Sequence, residues 1–172
     1  MNKPVPAGPS GAAILDAVAA AGVRFVAALP DIVTSDGLLW PASRDSRFRL
    51  IRLCKEDEGV AICAGLAATG QRAVLMMQQT GLMDSLNAIR AVAVEYAQPV
   101  CMLVGMQGKE PERLSRHSRR YGVRIVPAVL NAMGIDHFNL EGPGHERALT
   151  PAIERAYALG RPVVALIGRT VQ

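Results

Sequence analysis

Ala73-Val74-Leu75-Met76-Met77-Gln78-Gln79-Thr80-Gly81-Leu82-Met83-Asp84-Ser85-Leu86-Asn87 reads as a strand that runs straight into a helix. Ala73 to Met77 is apolar without interruption, as in a parallel strand covered on both faces. Gly81 to Ala97 then places Leu86, Ile89, Ala93 and Tyr96 on one helical face. The same alternation extends in both directions. Upstream, Ser10 caps a helix over about 11–21, Val23 to Leu29 is a strand, and Pro30-Asp31 leads into a helix ending near Leu39. Phe48 to Leu53 is a second strand, and Glu56 to Thr69 is an Ala-rich helix stopped by Gly70. Downstream, Pro99 to Gly105 is a strand, followed by a polar, Arg-rich loop to about Tyr121. Ile125 to Met133 is a short helix, His137 to Leu140 a short strand, Thr150 to Leu159 a helix and Val163 to Ile167 a last strand. Strands and helices alternate with no strand doublets. The expected fold is α/β: one doubly wound, mainly parallel sheet with helices on both faces.

Composition narrows the function classes. The chain has 172 residues, one domain's worth, of which 50% are hydrophobic and 20% charged, so a buried core is expected rather than disorder. Residues 1–9 carry Pro4, Pro6 and Pro9 and read as an N-terminal arm; residues 10–172 form the domain. The net charge of +4 and only seven aromatic residues argue against nucleic acid. Sixteen Arg against three Lys favours bidentate recognition of oxyanions, or reflects Arg-rich codon usage. No stretch has the length and apolarity of a membrane span, and the N-terminus does not read as a signal peptide. Cys54, Cys63 and Cys101 are odd in number and lack a C-x-x-C spacing, which suits reduced thiols and a cytoplasmic location.

Several chemistries lack their residues. Gly65-Leu66-Ala67-Ala68-Thr69-Gly70-Gln71-Arg72 approaches a phosphate loop, but it has no Lys-Ser/Thr and sits at a helix end. Neither G-x-G-x-x-G nor G-x-S-x-G occurs. His117, His137 and His145 have no metal-ligand spacing, so no metal site is expected in this chain.

Two segments remain. Cys54-Lys55-Glu56-Asp57-Glu58-Gly59 places three acids where a strand enters a helix. Acidic residues there complement the helix dipole, which accounts for two of the three. The third can differ, because a carboxylate at the carboxyl end of a parallel strand lies at the edge where open α/β sheets bind ligands. The Gln78–Asn87 segment brings small polar residues, Gly81 and backbone N–H groups to the same edge.

Together these segments resemble the pyrimidine-binding (PYR) domain of thiamine-diphosphate enzymes, with the sulfopyruvate and phosphonopyruvate decarboxylases as the nearest pattern. Those families carry a Glu nine residues before a Gly in an Ala-rich helix, matched here by Glu56 and Gly65. They also carry a stretch similar to M-Q-N-S-G-L-G-N-x-x-N, matched by Met77 to Asn87. Leu29-Pro30-Asp31 resembles their P-D-S turn, and Tyr96-Ala97-Gln98-Pro99 their Y-x-x-P strand entry. The resemblance covers most of residues 12–170. Gln79 stands where the pattern has Asn, Met83 where it has Gly, and Asp84 where it has Asn.

The resemblance implies a thiamine-diphosphate-dependent 2-keto-acid decarboxylase, a lyase. In it Glu56 hydrogen-bonds a ring nitrogen of the aminopyrimidine, a task suited to a carboxylate that can share a proton at short range. Glu56, Gln78, Thr80, Gly81 and Leu82 are then the cofactor-side residues. Asp31, Asn87, Arg113, Arg116 and His117 are the substrate-side ones. The family holds diphosphate and Mg²⁺ through a G-D-G…N motif on a second (PP) domain. No Gly-Asp-Gly occurs here, so only the pyrimidine end is expected on this chain. A PP-domain beta subunit in a homo- or hetero-oligomer would supply the rest. The loop from Arg113 to Arg124 holds five Arg and no acid. It reads either as a donor set for a carboxylate plus a sulfonate or phosphonate, or as a solvated basic loop. Three rivals stay open: another thiamine lyase or carboligase, a non-catalytic PYR-like assembly subunit, and a plain small-molecule-binding α/β domain.

Overall fold

The computed structural model describes residues 7–172, and residues 1–6 of the expected arm lie outside the described residues. Gly8 and Pro9 are buried, and the Gln172 N–H donates to Pro9 O at 3.0 Å, so this part of the arm lies on the domain body.

Six strands form one sheet: β1 (Phe25–Ala28), β2 (Arg49–Arg52), β3 (Ala73–Gln78), β4 (Cys101–Gly105), β5 (Asp136–Leu140) and β6 (Val163–Ile167). Their order is β2-β1-β3-β4-β6-β5, and every pairing is parallel. The helices are α1 (Gly11–Ala20), α2 (Trp40–Arg44), α3 (Glu56–Ala68), α4 (Gln79–Asp84), α5 (Leu86–Ala88), α6 (Tyr121–Arg124), α7 (Val126–Ala132) and α8 (Leu149–Leu159). The expected doubly wound α/β fold is the observed one.

Side-chain alternation along the central strands feeds two cores. Val74 and Met76 of β3, Leu103 of β4 and Ala165 of β6 join Ile14, Val18, Leu38 and Ile153 on the face covered by α1 and α8. Leu75 and Met77, Met102 and Val104, and Leu166 join Val60, Cys63, Leu82 and Leu130 on the face covered by α3, α4 and α7. Burial on both faces is why β3 reads as an unbroken apolar run while the edge strand β2 exposes Arg49 and Arg52.

Two helices differ from the sequence expectation. The helix after β3 starts at Gln79 rather than Gly81 and breaks at Ser85, whose φ of −89° and ψ of 2° leave the helical region. It then resumes through α5 into a π-helical turn over Ile89–Glu95. The segment after Asp31 is a π-helical turn over Ser35–Leu39 that continues into α2. Pro41 at the start of α2 has no N–H to give, which suits a helix start but not a continuous helix from Asp31.

The chain runs from β1 to β2 on one side and returns to β3 on the other, so the order reverses at β1. Ligands of open α/β sheets bind outside the carboxyl ends of the strands at such a reversal.

Candidate functional site

The two sequence segments converge at this reversal. β2 delivers Glu56 as the first residue of α3, and β3 delivers Gly81 in the first turn of α4. A Cβ on Gly81 would overlap Cγ, Cδ and Oε1 of Glu56. Only glycine lets the carboxylate lie against the α4 backbone. Ion pairs tie the same segments, since Lys55 Nζ lies 3.5 Å from Asp57 Oδ2 and 3.5 Å from Asp84 Oδ2. Asp57, then Asp84, holds the Lys55 ammonium above its ordinary range.

The three acids have different uses. Glu58 accepts from the N–H groups of Cys54 at 3.1 Å and Lys55 at 3.3 Å, closing the helix start back on itself. Asp57 accepts from the Glu58 N–H at 3.0 Å and pairs with Lys55. The Glu56 carboxylate is half-buried on Gly81 and takes no hydrogen bond or ion pair among the described residues. It is available to accept an N–H, or to share a proton with a ring nitrogen, from a ligand at the sheet edge.

Around it, Gln78 is half-buried, Leu82 is fully buried in the core and Thr80 is exposed. The departures from the family stretch have places too. Asp84 reaches Lys55, and Met83 packs on the core shared by α3 and α4. Gln79 is buried; its Nε2 donates to Gln107 O at 3.0 Å and its Oε1 accepts from Gln107 N at 2.8 Å. That reciprocal amide pair fixes α4 to the loop after β4.

The substrate-side candidates are spread out. Asp31 follows β1 at the same edge, but its carboxylate serves its own turn. Oδ1 accepts from Val33 N at 2.6 Å and Thr34 N at 2.9 Å, and Oδ2 accepts from the Thr34 hydroxyl. Ile32 is thereby presented outward, 75% exposed. Asn87 is exposed and accepts from Arg90 Nη2 at 3.0 Å. Arg113, Arg116 and His117 lie in the loop after β4. Glu110 organises this loop, accepting from Ser118 Oγ at 2.6 Å and Arg119 N at 2.9 Å. The Ser118 hydroxyl and backbone donors hold the Glu110 carboxyl down at about 2. Arg113 Nη1 donates to His117 O at 3.4 Å, so the two candidates are linked through the backbone.

One cluster at this edge has no counterpart in the sequence reading. Lys109 Nζ lies 3.2 Å from Glu141 Oε2, with side chains 0% and 8% exposed. Lys109 also donates to Glu110 O at 3.1 Å. Arg169 donates to Glu141 O at 2.7 Å and Pro111 O at 2.9 Å. These contacts stitch together the loops after β4, β5 and β6. No sequence signal pairs them; Gly168 after β6 makes room for the pair, since a Cβ there would come within 2.6 Å of Glu141 Oε1 and 2.8 Å of Lys109 Cδ.

Among the described residues no group of three or more His, Cys, Asp or Glu is placed to hold a metal ion. Nor is any helix among them long and apolar enough to cross a membrane.

No protein-family profile matches the chain. It is similar to the sulfopyruvate decarboxylase subunit alpha of Methanococcus maripaludis, 29% identical over 103 residues, 60% of this chain and 61% of that one. The sulfopyruvate decarboxylase of Methanosarcina acetivorans is 27% identical over 124 residues, 72% of this chain and 32% of that protein. The subunit alpha of Methanocaldococcus jannaschii is 26% identical over 102 residues, 59% of this chain and 60% of that one. The chain thus spans about three fifths of the alpha subunits it matches and about one third of the Methanosarcina protein.

Proposed function

We propose that this chain is an alpha-type, pyrimidine-binding subunit of a thiamine-diphosphate-dependent 2-keto-acid decarboxylase, acting on sulfopyruvate, with phosphonopyruvate as the competing substrate. The observation that carries the reading is the free Glu56 carboxylate resting on Gly81 while Asp57 and Glu58 are consumed by the helix start. The names of the relatives support the decarboxylase class and the need for a partner, as three of them are called subunit alpha. The match to only 32% of the Methanosarcina decarboxylase agrees with a chain that carries one part of a larger enzyme.

The donor set fits the pyrimidine end of the cofactor. Glu56 would share a proton with the ring nitrogen across from the exocyclic amine. Gly81 keeps the approach open, and Gln78, Thr80 and Leu82 shape the strand-to-helix corner around it. Thiamine diphosphate, when bound, supplies the sink for the electrons released with CO₂. No Gly-Asp-Gly occurs in this sequence, so diphosphate and Mg²⁺ are assigned to a PP-type beta partner. Arg113 and His117, on the loop fixed by Glu110 and by the Gln79–Gln107 pair, are assigned to the substrate anion. Asp31 acts as a positioning residue for the β1 turn.

The test is co-expression with a chain of the Gly-Asp-Gly type, followed by calorimetric titration with thiamine diphosphate and Mg²⁺. CO₂ release from sulfopyruvate and phosphonopyruvate is then measured. Saturable binding and CO₂ release only in the mixture are expected. Binding without CO₂ release from either acid would favour another thiamine lyase or carboligase. No binding in the mixture would overturn the reading in favour of an assembly subunit.

A further inference from the structure

A basic cavity lies away from Glu56. It occupies about 350 Å³ between the loop after β4, α7 and the edge strand β5. That volume is within the range of small-molecule sites. Its polar lining is Ser115, Arg116, Arg124, Asn131, His137 and Asn139, with no carboxylate. β5 stands three strands from β3 in the sheet, roughly 14 Å at about 4.8 Å per strand, and none of the cavity's lining residues belongs to the Glu56 corner.

We propose that this cavity binds a small oxyanion, a ligand distinct from the one at Glu56. Three observations carry this. Neither Arg116 nor Arg124 takes part in an ion pair among the described residues. Arg124 spends one N–H on Ser118 O at 3.0 Å and keeps the rest of its fork. Ser115 is 1% exposed, and its hydroxyl has no hydrogen-bond partner, although a buried polar group ordinarily finds one. His137 gives one ring nitrogen to Ile135 O at 3.1 Å and leaves the other without a partner. Two guanidinium forks, an imidazole and two amides around a spare hydroxyl match the acceptor-rich surface of a phosphate, a sulfonate or a dicarboxylate. This separates Arg116 from Arg113 and His117, and it holds whether or not the chain serves a decarboxylase.

The chain is titrated calorimetrically with inorganic phosphate, methanesulfonate and succinate in turn. Saturable binding of at least one is expected, and the order of the three identifies the headgroup. Arg116→Ala, combined with Arg124→Ala, weakens it at least tenfold with an unchanged circular dichroism spectrum. Ser115→Ala weakens it less. Arg119→Ala removes an equal charge from the same loop outside the cavity, and Glu56→Gln alters the other site; both leave the binding unchanged. Absence of saturable binding for all three anions overturns the proposal. So does equal weakening by Arg119→Ala and Arg116→Ala, which marks general attraction to a basic surface. Loss on Glu56→Gln would place the anion at the other site and overturn it too.

Discussion

The carboxyl edge of the sheet treats its acids in two ways. At the β4–β6 side, Glu110 is capped by Ser118 and Arg119, and Glu141 is buried against Lys109. At the β1–β3 side, Asp31, Asp57 and Glu58 are likewise bound to nearby N–H groups. Glu56 alone of these six is left free, with a glycine cleared to receive it. Asp36 and Glu112 near this edge also lack a partner but stand exposed, whereas Glu56 is half-buried against Gly81, which is what singles it out as the candidate for a ligand. The two sides differ in purpose: one is stitched for rigidity, the other held open.

The comparison can be broken most severely at Gly81. Gly81→Ala must displace the Glu56 side chain, and a misplacement of about 1 Å at a reacting centre costs about 100-fold in rate. Turnover of the reconstituted enzyme should fall by about that factor while the circular dichroism spectrum holds. Retained turnover would mean that the corner carries no chemistry. On the stitched side the expected effect falls on stability. Lys109→Met leaves the Glu141 carboxylate buried without its cation, a loss of about 3–5 kcal/mol in urea unfolding. Lys109→Met with Glu141→Leu should recover most of that, because the orphaned charge is gone.

The corner was legible because its signals are local. An unbroken apolar strand, a glycine in the following turn and acids at a helix start fix which residues meet once the sheet is parallel. The distinction between Glu56 and its two acidic neighbours came from the resemblance, through the nine-residue spacing to Gly65, and not from the three acids themselves. The stitched side was not. Lys109, Glu141 and Arg169 come from three separate loops, and nothing in a single sequence pairs a lysine with a glutamate 32 positions away. The break at Ser85 escaped for a related reason. No helix-breaking residue type marks it in the sequence.

Smaller effects sharpen the contrast. Glu110 is held at about 2, below its ordinary 4.5. A lowered carboxyl stabilises the folded loop fully above 4.5 and loses that contribution as pH falls through about 2. The Arg119 amide resonance should therefore titrate with a midpoint near pH 2, and Glu110→Gln should abolish that titration. A midpoint near 4.5 would mean the loop is not held as described. The smallest effect is a control on the core. Cys63 and Cys101 are buried, which pushes both thiols up to about 12, whereas Cys54 is exposed. A thiol reagent at neutral pH should label the folded chain once, at Cys54. Labelling of Cys63 would show that the α3 face of the sheet opens readily, and labelling of Cys101 that the α1 and α8 face does.

The most direct test of the free carboxylate is exchange of the thiazolium C2 proton of thiamine diphosphate in the co-expressed complex, followed by NMR for the unaltered chain and for Glu56→Gln. The amide keeps the size of the carboxylate but cannot share a proton with the ring nitrogen in the same way. The account predicts exchange slowed by about 100-fold, with cofactor still bound, which is the scale of a lost general acid–base group. Exchange at the unaltered rate in Glu56→Gln would contradict it.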